Sequence, residues 1–173
     1  MVFHVPGTSD SIARVPRTPL PQTPPPAAKT STVRHRVPFY ETDAMGIVHH
    51  ANWVRYLELV RVVWLDEHDR PYRDYVAEGL HYATTSVDVR YHRSAAFDDE
   101  IEVTTWLEWV RGASLRMAYV LRRGEQLLAT AATEHAMVDG SGRPTRIPRD
   151  RRESLARLAA WSHDEATMKA PGF

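Results

Sequence analysis

The chain has 173 residues, of which 43% are hydrophobic, a size and apolar content typical of one domain with a single core. Lys plus Arg and Asp plus Glu are equal at 22 each, so net charge provides no general attraction to nucleic acid or to an anionic membrane. The absence of cysteine excludes a disulfide framework, a thiolate nucleophile and Cys-ligated zinc, and it fits a cytoplasmic enzyme that uses carboxylates, histidines or hydroxyl groups.

The two ends of the chain differ in composition from its middle. Residues 1–30 contain seven of the twelve prolines and no apolar signal-peptide core, so we predict a disordered Pro-rich tail there. No stretch reaches the roughly 18 apolar residues expected of a membrane-spanning helix. A helical run from Arg151 to Ala160 precedes a polar end, so we assign 151–173 to a short helix and a frayed tail. The folded domain is then 31–150.

The folded part begins with a strand and one long helix. From Thr32, apolar and polar residues alternate as in a half-buried strand, and Pro38 predicts that this strand lies at a sheet edge or ends there. Apolar residues then recur at helical spacing from Trp53 to about His68, which predicts the main helix and the main core element. A second short helix is expected to end at Gly79.

The second half of the chain predicts a sheet. Period-two alternation marks four further strands joined largely by hairpin-type connections, at 87–91, 101–109, 113–121 and 126–138. The order of one strand, one long helix and four strands predicts an α+β domain, in which an antiparallel sheet of about five strands wraps one long central helix. An arrangement of this kind is expected to be the single hotdog fold.

A polar cluster lies between the first strand and the long helix. Asp43 and Gly46 follow the strand, and His49, His50 and Asn52 stand at the helix entrance. These residues fit a purely local role, in which Asp43 makes an Asx turn, Gly46 takes a positive φ and Asn52 caps the helix. They also fit catalysis, because a carboxylate can activate water as a general base or attack a carbonyl directly.

The run Phe-Tyr-Glu-Thr-Asp-Ala-Met-Gly-Ile-Val-His-His-Ala-Asn-Trp at 39–53 resembles the signature of hotdog thioesterases, which include 4-hydroxybenzoyl-CoA thioesterase and Tol-Pal-associated acyl-CoA thioesterases. The likeness continues in order through 86–92, 97–101 and 111–115 and ends near 146–148. It implies a thioesterase that hydrolyses an acyl- or aroyl-CoA, with Asp43 as general base or nucleophile. Coenzyme A would then be part of the substrate, and no cofactor is expected.

The resemblance also implies supporting catalytic residues. It places His50 near the thioester, lets Asn52 orient the carboxylate or its loop, and brings Glu58 towards the site. His50 also fits a solvent-facing helix start, and Glu58 fits a solvated helix acid paired with Arg55 or Arg61.

Substrate contacts are expected at the turn into the helix and at basic residues of the strands. Backbone N–H groups at a helix start can stabilise an oxyanion, and the phosphates of CoA usually meet Arg or His. The candidates are Gly46, Ile47, Val48, His49, Arg90, His92, Arg93 and Arg111. Met45 and His49 differ from the family's usual residues and are expected to alter the acyl pocket.

No metal is expected, since His-Glu-x-x-His spacing and Cys ligands are lacking.

The resemblance implies a homodimer or homotetramer with its site where two subunits meet. Trp106 and Trp109 are expected to be exposed on their strand and to favour such a contact. No nucleic-acid partner and no membrane span are expected.

Two other functions stay open, namely a hotdog hydratase or dehydratase acting on acyl thioesters and a non-catalytic acyl-thioester binding protein. The acyl group, which could be short, long, aromatic or bound to an acyl carrier, is not specified.

Overall fold

The computed structural model describes residues 19–161, which contain five strands and three α-helices. The strands are β1 (Thr30–Arg36), β2 (Leu80–Tyr91), β3 (Glu100–Arg111), β4 (Ser114–Arg123) and β5 (Gln126–Asp139). The helices are α1 (His50–His68), α2 (Tyr72–Ala77) and α3 (Arg149–Leu158), and a 3-10 turn at Phe39–Glu41 precedes α1. The predicted α+β hotdog fold is therefore confirmed. No helix of the described residues is both long and apolar enough to cross a membrane.

The five strands form one antiparallel sheet in the order β1-β3-β4-β5-β2. The strand before Pro38 is an edge strand, as its sequence predicts, and it ends at Arg36. The other edge strand, β2, begins at Leu80 and thus earlier than the alternation at 87–91 indicated. Residues 83–87 are exposed, so this part of the strand carries no alternating pattern from which to predict it.

Helix α1 lies across the inner face of the sheet, over β1 and β3. Its predicted apolar stripe is buried, including Trp53, Leu57, Val60 and Trp64. Full burial of one such side chain stabilises the fold by roughly 1.5–3 kcal/mol, so the stripe fixes how α1 lies on the sheet. The helix start is thereby held beside the loop that contains Asp43.

The outer face of β3 is covered by the chain itself. Trp106 is 0% and Trp109 is 8% exposed, so the expectation that these tryptophans are exposed is wrong. Ala28 and Ala160 pack against the cluster that contains Trp106. The N–H of Ala160 also donates to the Leu107 carbonyl at 2.9 Å, which holds the segment after α3 against β3. Contacts this distant in sequence leave no local signal.

The predicted tails lie largely outside the described residues, which exclude 1–18 and 162–173, and they stay predictions there. Residues 19–29 form no helix or strand, but Leu20 is buried, and Arg122 donates to the Gln22 carbonyl at 3.3 Å. Helix α3 begins and ends slightly before the predicted run 151–160, and Leu155 anchors it in the core.

Candidate active site

Asp43 lies in a tight loop between the 3-10 turn and α1. A β-bridge between Thr42 and Val48 closes this loop. The Oδ1 atom of Asp43 accepts a hydrogen bond from the Met45 N–H at 2.8 Å, which forms an Asx turn. Gly46 follows with φ of 74°, a conformation that costs other residues strain, and donates its N–H to the Asp43 carbonyl at 2.9 Å. The local role expected of both residues is present.

The Asx turn leaves half of the Asp43 carboxylate free. Among residues 19–161, the Asp43 side chain makes no hydrogen bond or ion pair besides the one to Met45. Asp43 is half-buried and lines a cavity of about 370 Å³. An oxygen without a protein donor beside such a cavity can accept a proton from water or attack a carbonyl carbon. The local and the catalytic interpretations of Asp43 are therefore compatible.

Of the other predicted site residues, those that line the same cavity are Ile47, Val48, His50, His92 and Arg93. Met45 lines it as well, whereas Gly46 and His49 do not. Three residues that the sequence did not single out for the site complete the walls, namely Trp53, Tyr91 and Ser94. Trp53 and Tyr91 had been assigned to a helix stripe and a strand, and only the fold brings their rings together, 5.7 Å apart.

The side chains at the start of α1 have distinct roles. His49 is the N-cap, because its Nδ1 accepts from the Ala51 N–H at 3.3 Å. The alternative in which Asn52 caps the helix is wrong, since the Asn52 Nδ2 donates to the Glu41 carbonyl at 2.8 Å. Asn52 thus contacts the backbone of the Asp43 loop, as its other interpretation held. The His50 ring packs on His49, with centroids 4.1 Å apart.

Backbone N–H groups at this helix start differ in availability. The Val48 N–H donates to the Ala95 carbonyl at 2.8 Å, and the His49 N–H donates to the Glu41 carbonyl at 2.9 Å. The His50 N–H has no acceptor among residues 19–161. It lies at the positive end of the α1 dipole, where a developing negative charge is stabilised.

Two predicted residues near this region do not reach the cavity. Glu58 is exposed and lies eight positions after His50, or about 12 Å along the helix. In the described chain it forms no ion pair, so the expected pairing with Arg55 or Arg61 is absent as well. Arg90 lies 4.0 Å from Asp88 and, by strand alternation, on the face of β2 opposite to the cavity.

Arg111 lies at the far end of the sheet. A second cavity of about 470 Å³ is lined there by basic and aromatic side chains, including Arg111, Arg146, Arg152, Trp109 and Trp161. The three arginines form no ion pair within the described chain. Strand β3 separates this end from the Asp43 loop, and its 12 residues span roughly 36 Å. One chain therefore does not bring Arg111 to Asp43.

Comparisons with known proteins agree with this fold. Residues 37–161 match the profile of the thioesterase-like superfamily. A protein of Aquifex aeolicus named "Putative esterase" is 35% identical over 122 residues, covering 70% of this chain and 94% of that protein. The acyl-CoA thioester hydrolase YbgC of Escherichia coli O6:H1 is 31% identical over 97 residues, covering 56% of this chain and 72% of that protein.

A solved structure supports the same assignment. The crystal structure of a hypothetical protein from Thermus thermophilus superposes with a TM-score of 0.72 at 32% identity, covering 77% of this chain and 100% of that one. The matching profile spans α1, the four strands β2 to β5 and the Asp43 loop. This chain belongs to the thioesterase-like superfamily.

Proposed function

We propose that this protein is an acyl-CoA thioesterase, which hydrolyses an acyl- or aroyl-CoA to the free acid and CoA. The observation that carries the proposal is the Asp43 carboxylate, one oxygen of which has no partner among residues 19–161 and lies beside a cavity at the start of α1. Membership of the thioesterase-like superfamily supports the reaction class. The name of the YbgC relative supports acyl-CoA as the substrate class.

Asp43 has two chemical routes to hydrolysis. As a general base, it takes a proton from water while the water oxygen attacks the thioester carbonyl carbon. As a nucleophile, it attacks that carbon itself and forms a mixed anhydride that water then hydrolyses. In both routes the C–S bond breaks, CoA leaves, and the oxyanion is stabilised by the His50 N–H at the α1 start.

The cavity walls suggest how the substrate lies. Met45, Ile47, Val48 and Trp53 form an apolar side that suits an acyl group. Arg93 lines the same cavity, is exposed, and has no ion-pair partner among residues 19–161, so it is available to a CoA phosphate. Coenzyme A therefore enters past Arg93, and the acyl group points towards Trp53.

A homodimer completes this proposal. Residues 83–87 of edge strand β2 are exposed, as are the apolar side chains of Val54 and Leu59 on α1, at 39% and 48%. An unpaired edge with apolar neighbours favours pairing with a second copy. Glu58 and Arg111 do not line the Asp43 cavity within one chain, so a part for either in the reaction requires a second subunit.

A thiol-release assay over a panel of acyl-CoA and acyl-carrier thioesters tests this function. Asp43→Asn should lower kcat roughly 100- to 10,000-fold, because the amide cannot accept the proton or attack. Asp139→Asn is the matched control, since Asp139 also forms an Asx turn, to the Ser141 N–H at 2.8 Å, but lies outside the cavity.

Each outcome separates the candidate functions. Wild-type turnover that Asp43→Asn abolishes and Asp139→Asn preserves supports the thioesterase. Full turnover in Asp43→Asn contradicts the assigned role. An acyl-thioester binding protein would bind the panel without releasing thiol, and a hydratase would add water to an enoyl-CoA and leave the thioester intact.

A further inference from the structure

A buried carboxylate lies two residues before Asp43. Glu41 ends the 3-10 turn, is 7% exposed, and is not among the residues that line the Asp43 cavity. A carboxylate removed from water destabilises the fold unless hydrogen bonds replace its hydration. Glu41 has such partners on two other elements of the fold.

The side chain of Glu41 joins β1 to α1. Its Oε2 accepts from the Tyr56 hydroxyl on α1 and lies 2.8 Å from the Nε2 of His35 on β1. The rings of His35 and Tyr56 are in contact, with centroids 4.4 Å apart. Burial, and then the bond to Glu41, raise the pKa of Tyr56 well above its ordinary value. The phenol therefore keeps its proton and remains a donor to the carboxylate.

The backbone carbonyl of Glu41 makes a second set of bonds. It accepts from the Asn52 Nδ2 at 2.8 Å and from the His49 N–H at 2.9 Å. The bond to His49 closes the segment 41–49 across its base, and Asp43 lies inside this segment. Asn52 belongs to the first turn of α1, so the same carbonyl attaches the helix start to the loop.

We propose that Glu41 is a positioning residue for the thioesterase reaction, which holds the Asp43 loop against the start of α1 through Tyr56 and His35. The inference rests on the proposed role of Asp43. Catalytic groups need to be held within about 0.5 Å of their working geometry. The Asp43 side chain has a single hydrogen bond of its own in the described chain, so the bonds of Glu41 provide the rigidity.

Three variants test the side-chain bonds of Glu41. Glu41→Ala and Tyr56→Phe should lower kcat roughly 10- to 100-fold, the loss typical of a displaced catalytic group. KM should change less than about threefold, because neither residue lines the cavity. Glu41→Gln should recover most of the loss, since its amide oxygen still accepts from the Tyr56 hydroxyl.

Tyr75→Phe is the matched control for Tyr56→Phe. The Tyr75 hydroxyl donates to the Asp69 Oδ2 at 2.5 Å, and both tyrosines are buried, at 0% and 3% exposure. Asp69 follows the last residue of α1, at the end of the helix opposite to Asp43. Tyr75→Phe removes the same kind of bond and should leave kcat unchanged.

Hydrogen exchange of the backbone amides gives a readout that needs no turnover. Amides of residues 43–49 should exchange faster in Glu41→Ala and Tyr56→Phe, but not in Tyr75→Phe. Unchanged exchange at 43–49 together with wild-type kcat would overturn the role of Glu41. An equal loss of kcat in Tyr75→Phe would do the same, since the effect would then be general. Full turnover in Asp43→Asn would instead overturn the proposed catalysis, and the exchange result would still decide whether Glu41 holds the loop.

Discussion

The imidazole of His135 and the guanidinium of Arg61 are both buried within the fold, at 2% and 5% exposure. Burial, and then the positive charge of Arg61, lower the pKa of His135 to about 3. The ring forms hydrogen bonds with two threonine hydroxyl groups. The His135 Nε2 lies 2.7 Å from the Thr133 Oγ1, and the Nδ1 lies 3.3 Å from the Thr84 Oγ1. The folded protein thus holds a histidine that the unfolded chain would protonate near pH 6.5.

The free energy of unfolding should therefore decrease as the pH decreases, over the range between the unfolded and the folded pKa of His135. Because its folded pKa is depressed, its contribution is complete above about pH 6.5 and is lost progressively as the pH falls towards about 3. Urea unfolding at pH 7 and pH 5 checks this against His135→Gln, which cannot titrate. The wild type should lose about 1–2 kcal/mol more than the variant between these pH values. Equal losses of unfolding free energy in the two proteins would contradict the lowered pKa of His135.

The buried guanidinium of Arg61 predicts an unusual stabilising substitution. Within residues 19–161 its Nη1 has no hydrogen-bond partner and Arg61 forms no ion pair; its Cζ lies 5.7 Å from the centre of the Tyr72 ring, and its charge also acts on His135. A buried cation without a carboxylate is costly, so Arg61→Met should raise the free energy of unfolding by roughly 1–4 kcal/mol.

Arg70→Met is the control for Arg61→Met. Arg70 also lies over a tyrosine ring, that of Tyr75 at 3.9 Å, but it pairs with Glu78 through two hydrogen bonds of 2.7 and 2.8 Å. Arg70→Met loses the pairing with Glu78, so it should lower the free energy of unfolding. Thermal unfolding of both variants measures the contrast. A destabilised Arg61→Met would contradict the claim that the buried cation is a cost to the fold.

The sequence predicts the fold well where its signal is local. Helical spacing after Trp53 and strand alternation are set by short-range geometry, and both predict their elements correctly except for the exposed first half of β2. The Asp43 turn is equally local, because its bonds to Met45 and Ile47 stay within four residues. What the sequence does not reveal is the burial of Glu41, whose side-chain partners on β1 and α1 meet only after folding.

Arg93 provides the prediction for CoA recognition. Arg93→Ala should raise KM for an acyl-CoA about fivefold, because an exposed cation contributes on the order of 1 kcal/mol to an anionic ligand. The same acyl group on pantetheine, which lacks the nucleotide phosphates, should show no change. Arg34→Ala is the control, since Arg34 is exposed on β1 and pairs with Glu102. An equal rise in KM for both substrates would show that Arg93 does not act through the nucleotide phosphates.

Gly46 and Gly124 separate the stability of a turn from its use in catalysis. Both have positive φ, of 74° and 57°, and a Cβ at either position would meet no atom of the described residues within 4 Å, its chain neighbours aside. Alanine should therefore cost only backbone strain, roughly 1–2 kcal/mol, at both positions. Gly124 lies in the hairpin turn between β4 and β5, whereas Gly46 donates its N–H to the Asp43 carbonyl. Chemical denaturation should give similar losses of stability for the two variants.

The kinetics of these two variants should differ. Gly46→Ala relieves its strain by moving the loop, which displaces Asp43 from the start of α1, so kcat should fall roughly 10- to 100-fold. Gly124→Ala should keep the wild-type kcat because its turn is not among the residues that line the cavity. Thiol release at saturating substrate measures both. If the two variants lost stability alike and Gly46→Ala kept its full kcat, the exact shape of this loop would not matter for turnover.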